Sequence, residues 1–254
     1  MLFEEATASG TPHRRAIRFD GVELLRFDAA ASSSSSSSLR SLESLATGFD
    51  NTGNVRVWPG SEALAWIACQ SDATAPFGAA SSFLELGAGF LGLASFVIAA
   101  KKDTAASIWI TDGNRDSVAS LEAIRAENHP ARAEITVRQL VWGEKRLDAP
   151  RFDVILAADC VFFGETHDAL LRTISSHLAA DGTCWMASPR RRGSLRKFCE
   201  HVAAAHWSET FSLRIEDEWN RRLADVVPEW TSETARDELM PVFFTLRFRN
   251  KPSD

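Results

Sequence analysis

The chain has 254 residues, 45% hydrophobic and 24% charged, enough for one sizeable core and too few for two large domains. Its net charge of −6 argues against whole-molecule attraction to nucleic acid, so no nucleic-acid partner is expected. The longest apolar run, Leu91 to Ala100, is well short of the ~20 residues a membrane-crossing helix needs, so no membrane partner is expected.

Met1 to Gly10 contain Glu4 and Glu5 and no basic segment followed by an apolar one, so a secretory signal is not expected. The expected location is the cytoplasm, with the nucleus left open because both are reducing. In "AIRFDGVELLRF" two apolar-rich runs flank Asp20-Gly21, residues that tolerate positive φ, which predicts a β-hairpin over residues 16–27. Ser32 to Ser38 then offer no apolar side chain to bury and read as a flexible loop. Residues 1–47 are thus an extension of hairpin and serine loop, and residues 48–254 form the main domain.

From Ser81 onward strand-like and helix-like runs alternate. "SFLEL" is a strand, and "LGLASFVIAAKK" a helix ending in Lys101 and Lys102, cations that suit a helix C-terminus. "SIWITD" is a strand, and "NRDSVASLEAIRAENH" an amphipathic helix with Val118, Leu121 and Ile124 near one face. "AEITVRQL" and "RFDVILAAD" are strands, the second apolar enough to lie at the centre of a parallel sheet. "THDALLRTISSHLAADG" reads as a helix closed by Gly182, "TCWMASP" as a strand and "GSLRKFCEHVAAAH" as a helix. The strand-like "TFSLRIED", a polar helical stretch and "PVFFTLRF" end the series. This alternation predicts an α/β, Rossmann-like parallel sheet with helices on both faces, completed by an antiparallel C-terminal strand.

Cys69, Cys160, Cys184 and Cys199 form no CxxC pair and read as reduced, buried thiols. No two histidines stand four apart, so a helical HExxH site is absent and no metal is expected.

Between "SFLEL" and the following helix lies the turn Gly87-Ala88-Gly89, and with Gly92 it matches GxGxxG. Asp112 stands about twenty positions downstream, where an acid meets ribose hydroxyls in nucleotide-binding sheets. The pattern fits a dinucleotide as well as S-adenosylmethionine. Glu85 within the strand, and the lack of a second dinucleotide-type half, favour S-adenosylmethionine, whose carboxylate could meet the turn's amides at the helix N-terminus.

Taken together, "TGNVRVWPGSEALAW", "WITDGN", "ILAADCVFF" and "ASPRRRGSLRKFC" resemble the seven-stranded class I protein-lysine methyltransferases of family 16, over about residues 50 to 250. The resemblance implies S-adenosyl-L-methionine as cofactor. It implies that Trp58 lies over the cofactor, that Gly87, Ala88 and Gly89 form the methionine-binding turn with Glu85 behind it, and that Asp112 holds the ribose. Trp142 would stack on or edge the adenine. Ala158 and Asp159 would end the fourth strand beside the reacting centre. Many relatives have D-x-x-Y there, whereas this chain reads Asp159-Cys160-Val161-Phe162, which resembles the calmodulin-directed branch and implies calmodulin as the protein partner. With no tyrosine in the chain, a mechanism that requires a phenol is excluded.

Asp159 and Phe162 are the expected catalytic residues: Asp159 orients the acceptor amine, and Phe162, Phe163 or Trp58 lines its channel. The basic run Arg190, Arg191 and Arg192, with Arg196 and Lys197, sits at a predicted helix N-terminus, where the dipole disfavours cations by ~0.3–1 kcal/mol each. A functional reason for that cost is a rim that binds an acidic protein substrate. A monomer is expected.

Overall fold

The computed structural model describes residues 4–7, 14–19, 22–28, 57–70, 76–101, 105–130, 132–144, 146–227 and 237–250. Near the N-terminus, strands β1 (Glu4–Thr7), β2 (Arg14–Phe19) and β3 (Val22–Asp28) form an antiparallel three-stranded sheet. The expected hairpin is therefore present as β2 and β3, and β1 adds a strand that the sequence did not announce. Ile17 and Leu25 of this small sheet are buried in the main core. Asp20-Gly21, Ser32 to Ser38 and Lys102 lie outside the described residues.

The rest of the described chain is built from α1 (Pro59–Ala68), β4 (Ser82–Leu86), α2 (Leu93–Lys101), β5 (Ala106–Asp112), α3 (Arg115–Glu127), β6 (Ala133–Gln139) and β7 (Phe152–Ala158). It continues with α4 (His167–His177), β8 (Leu178–Pro189), α5 (Ser194–Ala203), α6 (Ala205–Thr210), β9 (Phe211–Ile215), α7 (Asp217–Val226) and β10 (Pro241–Phe248). Strand order in the seven-stranded sheet is β6-β5-β4-β7-β8-β10-β9. β4 through β8 pair in parallel, and β10 runs antiparallel to β8 and to β9. The expected Rossmann-like sheet with an antiparallel C-terminal strand is present, with that strand inserted between β8 and β9 rather than laid at the edge.

Alternating side chains on the central strands serve two cores, as the period-two geometry of a strand requires. Phe83, Val154 and Leu156 face the core under α1, α2 and α3, with Leu64, Ile67, Val97 and Leu121. Leu84, Leu86 and Ile155 face the opposite core, with Leu170 and Ile174 of α4 and Phe198 of α5. Such two-sided burial explains why β4 and β7 read as nearly continuous apolar runs.

One boundary differs from expectation. The helix over "THDALLRTISSHLAADG" stops at His177, and Gly182 lies inside β8. Pairing runs from Phe152 opposite Leu178 to Val154 opposite Thr183, so the extra residues of β8 bulge out. A Cβ on Gly182 would approach Leu178 Cδ1 at 2.8 Å and the Phe152 carbonyl at 2.9 Å. Gly182 therefore permits a close backbone approach in a bulge and does not close a helix. Similarly, the helix over "GSLRKFCEHVAAAH" breaks at Ala204, with φ −66° and ψ 150°, before α6.

The chain proceeds from β4 outward to β5 and β6, then returns past β4 to β7. That reversal makes a crevice at the carboxyl ends of β4 and β7, where open α/β sheets bind their ligands.

Candidate active site

A cavity of about 330 Å³ opens at this crevice, within the size range of small-ligand sites. Its lining includes Trp58, Gly87, Ala88, Gly89, Asp112, Trp142, Ala158, Asp159, Phe162 and Arg191, from segments spread across more than half of the chain.

Its floor is the turn after β4. Gly87 and Gly89 have φ of 63° and 65°, the left-handed region that side chains with a Cβ disfavour. A Cβ on Gly87 would come within 2.9 Å of the Trp142 ring and 3.0 Å of Cys160 Sγ. The turn is fastened from below: Ala88 N–H donates to the Thr111 carbonyl at 3.0 Å, and Gly89 N–H donates to Asp112 Oδ2 at 2.9 Å. Asp112 Oδ1 accepts from Asn114 N–H at 2.8 Å. Asp112 thus reaches the cavity and also ties β5 to the turn, so the amides of Ala88 and Gly89 are already engaged within the chain.

Glu85 is placed apart from the other expected cofactor residues. It is buried and does not line the cavity; its Oε2 accepts from Ser95 N–H at 3.1 Å, beneath α2. Burial is the main cause that pushes its carboxyl up to about 7, opposed by the hydrogen bonds from Ser95. The reason is strand alternation: Glu85 points to the α2 side of β4, and the cavity lies beyond the strand's end.

At the other end of the cavity, Asp159 follows β7 with φ 56°, an uncommon conformation for a residue other than glycine. Its N–H donates to the Ala187 carbonyl at 2.9 Å. Oδ2 accepts from Gly60 N–H at 2.7 Å, and Oδ1 lies 2.6 Å from Arg191 Nη2. Both side chains are almost withdrawn from solvent, at 6% exposure for Asp159 and 9% for Arg191. The Arg191 guanidinium also stands 4.6 Å from the Trp58 ring centre and 5.9 Å from that of Phe162, within cation–π reach. Phe162 itself is 41% exposed and packs edge to face on Phe163 at 5.1 Å.

The basic run is therefore not one rim. Arg190, Arg192, Arg196 and Lys197 are exposed, and Arg196 pairs with Glu200 and Arg192 with Glu238. Arg191 instead turns into the cavity, a correction to its expected place beside its neighbours. Backbone geometry accounts for it: Arg191 and Arg192 have φ of 37° and 51° in the 3-10 turn before α5, and the buried Asp159 carboxylate attracts the nearer cation.

Two residues of the site were missed in the sequence. Gly60, the second residue of α1, has no room for a Cβ, which would overlap both the Asp159 carboxylate and the Ala187 carbonyl. The "WPG" start of the helix was its only sequence signal. Cys160 lies against the turn, and burial raises its thiol well above the usual range, so it stays protonated.

Comparison with known proteins gives this arrangement its context. A family model described as lysine methyltransferase matches residues 38–205, more than half of the chain. The chain is 37% identical over 159 residues to the calmodulin-lysine N-methyltransferase of Arabidopsis thaliana, covering 60% of this chain and 51% of that one. It is also 37% identical over 113 residues to the protein N-lysine methyltransferase METTL21A of Danio rerio, covering 43% and 49%. The chain thus spans about half the length of the curated relatives it matches. Among solved structures, a TehB-like SAM-dependent methyltransferase from Corynebacterium glutamicum aligns with TM-score 0.45 and 16% identity, covering 82% of this chain and 93% of that one. The family match takes in the glycine turn, Asp112 and the Asp159 segment that meet at the cavity, and the chain belongs to the lysine methyltransferase family, whose methyl donor is S-adenosylmethionine.

Proposed function

We propose that the chain transfers the methyl group of S-adenosylmethionine to a lysine side chain of calmodulin. The observation that carries this reading is the convergence of Trp58, Asp159 and Phe162 on the same cavity as the Gly87–Gly89 turn and Asp112. Its support on the substrate side is the identity to the Arabidopsis relative, together with Asp159-Cys160-Val161-Phe162 where many family members carry a tyrosine.

The residues present fit the cofactor. Without a Cβ, Gly87 lets the Trp142 ring close onto the turn so that both line the cavity, and Asp112 supplies an acceptor at the same wall. The Gly87–Gly89 turn would hold the amino-acid end through groups other than the Ala88 and Gly89 amides, which bond within the chain, with Asp112 at the ribose and Trp142 at the adenine. When bound, the cofactor supplies a methyl carbon on a positively charged sulfonium. The chain's own task is to deliver a neutral amine in line with that carbon. A solvent-exposed lysine has a pKa near 10.4, so the site must favour its uncharged form. Beside a bound cofactor's positive charge the acceptor amine is favoured in its neutral form, and Trp58, Phe162 and Phe163 line its path. Asp159, fixed by Gly60 N–H, accepts a hydrogen bond from the amine and aligns its lone pair. Proximity and alignment then account for most of the acceleration.

The test is to mix the purified protein, unmodified calmodulin and S-adenosylmethionine, and follow the intact mass of calmodulin with time. Stepwise gain of single methyl groups that map to one lysine is the expected result. No gain, while calorimetry registers cofactor binding, would refute calmodulin as the substrate.

A further inference from the structure

We propose that Trp58, Phe162 and Asp159 form a cation cage for the acceptor's alkylammonium group, and that Arg191 occupies the cage at rest as an internal competitor. The inference rests on the preceding reading that the acceptor amine enters beside Asp159. A carboxylate flanked by two aromatic faces is the combination that binds an alkylammonium ion. Here those groups surround the Arg191 guanidinium, 2.6 Å from Asp159 Oδ1, 4.6 Å from the Trp58 ring centre and 5.9 Å from that of Phe162.

Charge balance explains why a stand-in is needed. Asp159 is 6% exposed, and a buried carboxylate without a cationic partner is strongly unfavourable. An incoming lysine ammonium replaces one positive charge by another, so the exchange itself does not leave the carboxylate without a cation; the bound ammonium gives its proton to solvent only afterwards, beside the bound cofactor's positive charge. Arg191 and Arg192 both lie in the left-handed region, so the backbone that carries Arg191 into the cage is strained. The turn is anchored outside the cavity by Arg192, whose N–H donates to Asp237 Oδ2 at 3.1 Å and whose Nε faces Glu238 at 3.4 Å. Withdrawal of Arg191 thus leaves those outer contacts available to hold the loop.

The experiment compares the full chain with Arg191→Met, which keeps a long apolar stem and removes the charge, and with Arg191→Lys, which keeps the charge. The probe is n-butylammonium, and binding is read by tryptophan fluorescence and by the shift in melting temperature. If the cage is free in about a tenth of wild-type molecules, Arg191→Met binds the probe about tenfold more tightly. The probe should also raise its melting temperature, while Arg191→Lys stays near wild type. Equal probe affinity in wild type and Arg191→Met would overturn the proposal, as would no binding by the Met variant. Should Arg191→Met fail to fold, Arg191→Gln, which keeps a donor for Asp159, is measured in its place. With calmodulin, Arg191→Met should lower the acceptor KM about tenfold. A fall in kcat at unchanged KM would instead assign Arg191 to the transition state and overturn the proposal. If no form methylates calmodulin, the substrate reading fails, and n-butylammonium binding still decides the role of Arg191.

Discussion

Gly60→Ala sets two structural effects of opposite sign against each other. Gly60 is the second residue of α1, and replacing a helical glycine by alanine stabilises by roughly 0.5–1 kcal/mol when nothing else changes. Here the new methyl would overlap the Asp159 carboxylate and the Ala187 carbonyl, the second of which belongs to the backbone of a central strand and cannot move aside cheaply. Overpacking of this kind costs ~1–3 kcal/mol. Displacing Asp159 also forfeits the Gly60 N–H bond to Oδ2 at 2.7 Å, a hydrogen bond to a charged group, of the kind that contributes ~1.5–3 kcal/mol. The steric and hydrogen-bond terms outweigh helix propensity, for a net loss of about 1.5–5.5 kcal/mol. For a chain of this length that lowers the melting temperature by roughly 3–22 °C. Calorimetric melting measures the loss, and methyl transfer measured below the transition should fall at least about tenfold because Asp159 is moved. A melting temperature equal to or above wild type would show that the Gly60–Asp159 contact does not constrain the site, and would refute the reasoning.

Glu85 should make stability depend on pH. Its folded carboxyl is raised to about 7, chiefly by burial, so the folded state prefers the proton. That contribution is fully present below the ordinary carboxyl range and is lost as pH rises through about 7, amounting to about 3 kcal/mol at 1.36 kcal/mol per tenfold. Urea unfolding at about pH 5 and about pH 8, one below and one above the transition, should show wild type losing more stability on going alkaline than Glu85→Gln; parallel curves would count against the buried proton. Gly87→Ala forces a Cβ onto a residue at φ 63° and against the Trp142 ring, and calorimetry should find S-adenosylmethionine binding weakened at least about tenfold. Unchanged affinity would mean that the turn does not hold the cofactor.

From Ser81 onward the order of strands and helices was legible because each depends on its own segment, whereas β1 and α1 were not read. Two-sided burial makes β4 and β7 apolar throughout, and the Asn114 side chain capping α3 at Asp116 and Ser117 is a local hydrogen-bond pattern. The same holds for Gly87, Ala88, Gly89 and Asp112, whose spacing follows from one strand-turn-helix unit and the next strand. Gly182 misled because a glycine serves a helix end and a strand bulge equally well, and only the approach of the Phe152 carbonyl distinguishes them.

What the sequence by itself determined is the layered sheet and the glycine turn at its switch point, since these arise from periodicity and short spacings; the turn alone fits a dinucleotide as well, and the cofactor class rested on the family resemblance. Tertiary structure alone decided that Gly60 meets Asp159 across 99 residues, that Glu85 turns away from the cavity, and that one arginine of a basic run enters the site while its neighbours stay in solvent. The physical reason is that charge and shape complementarity between distant segments exist only once the sheet has brought β7, α1 and the turn before α5 to the same edge. Adjacent arginines are chemically identical along the chain, and a buried carboxylate distinguishes one of them only in the folded state.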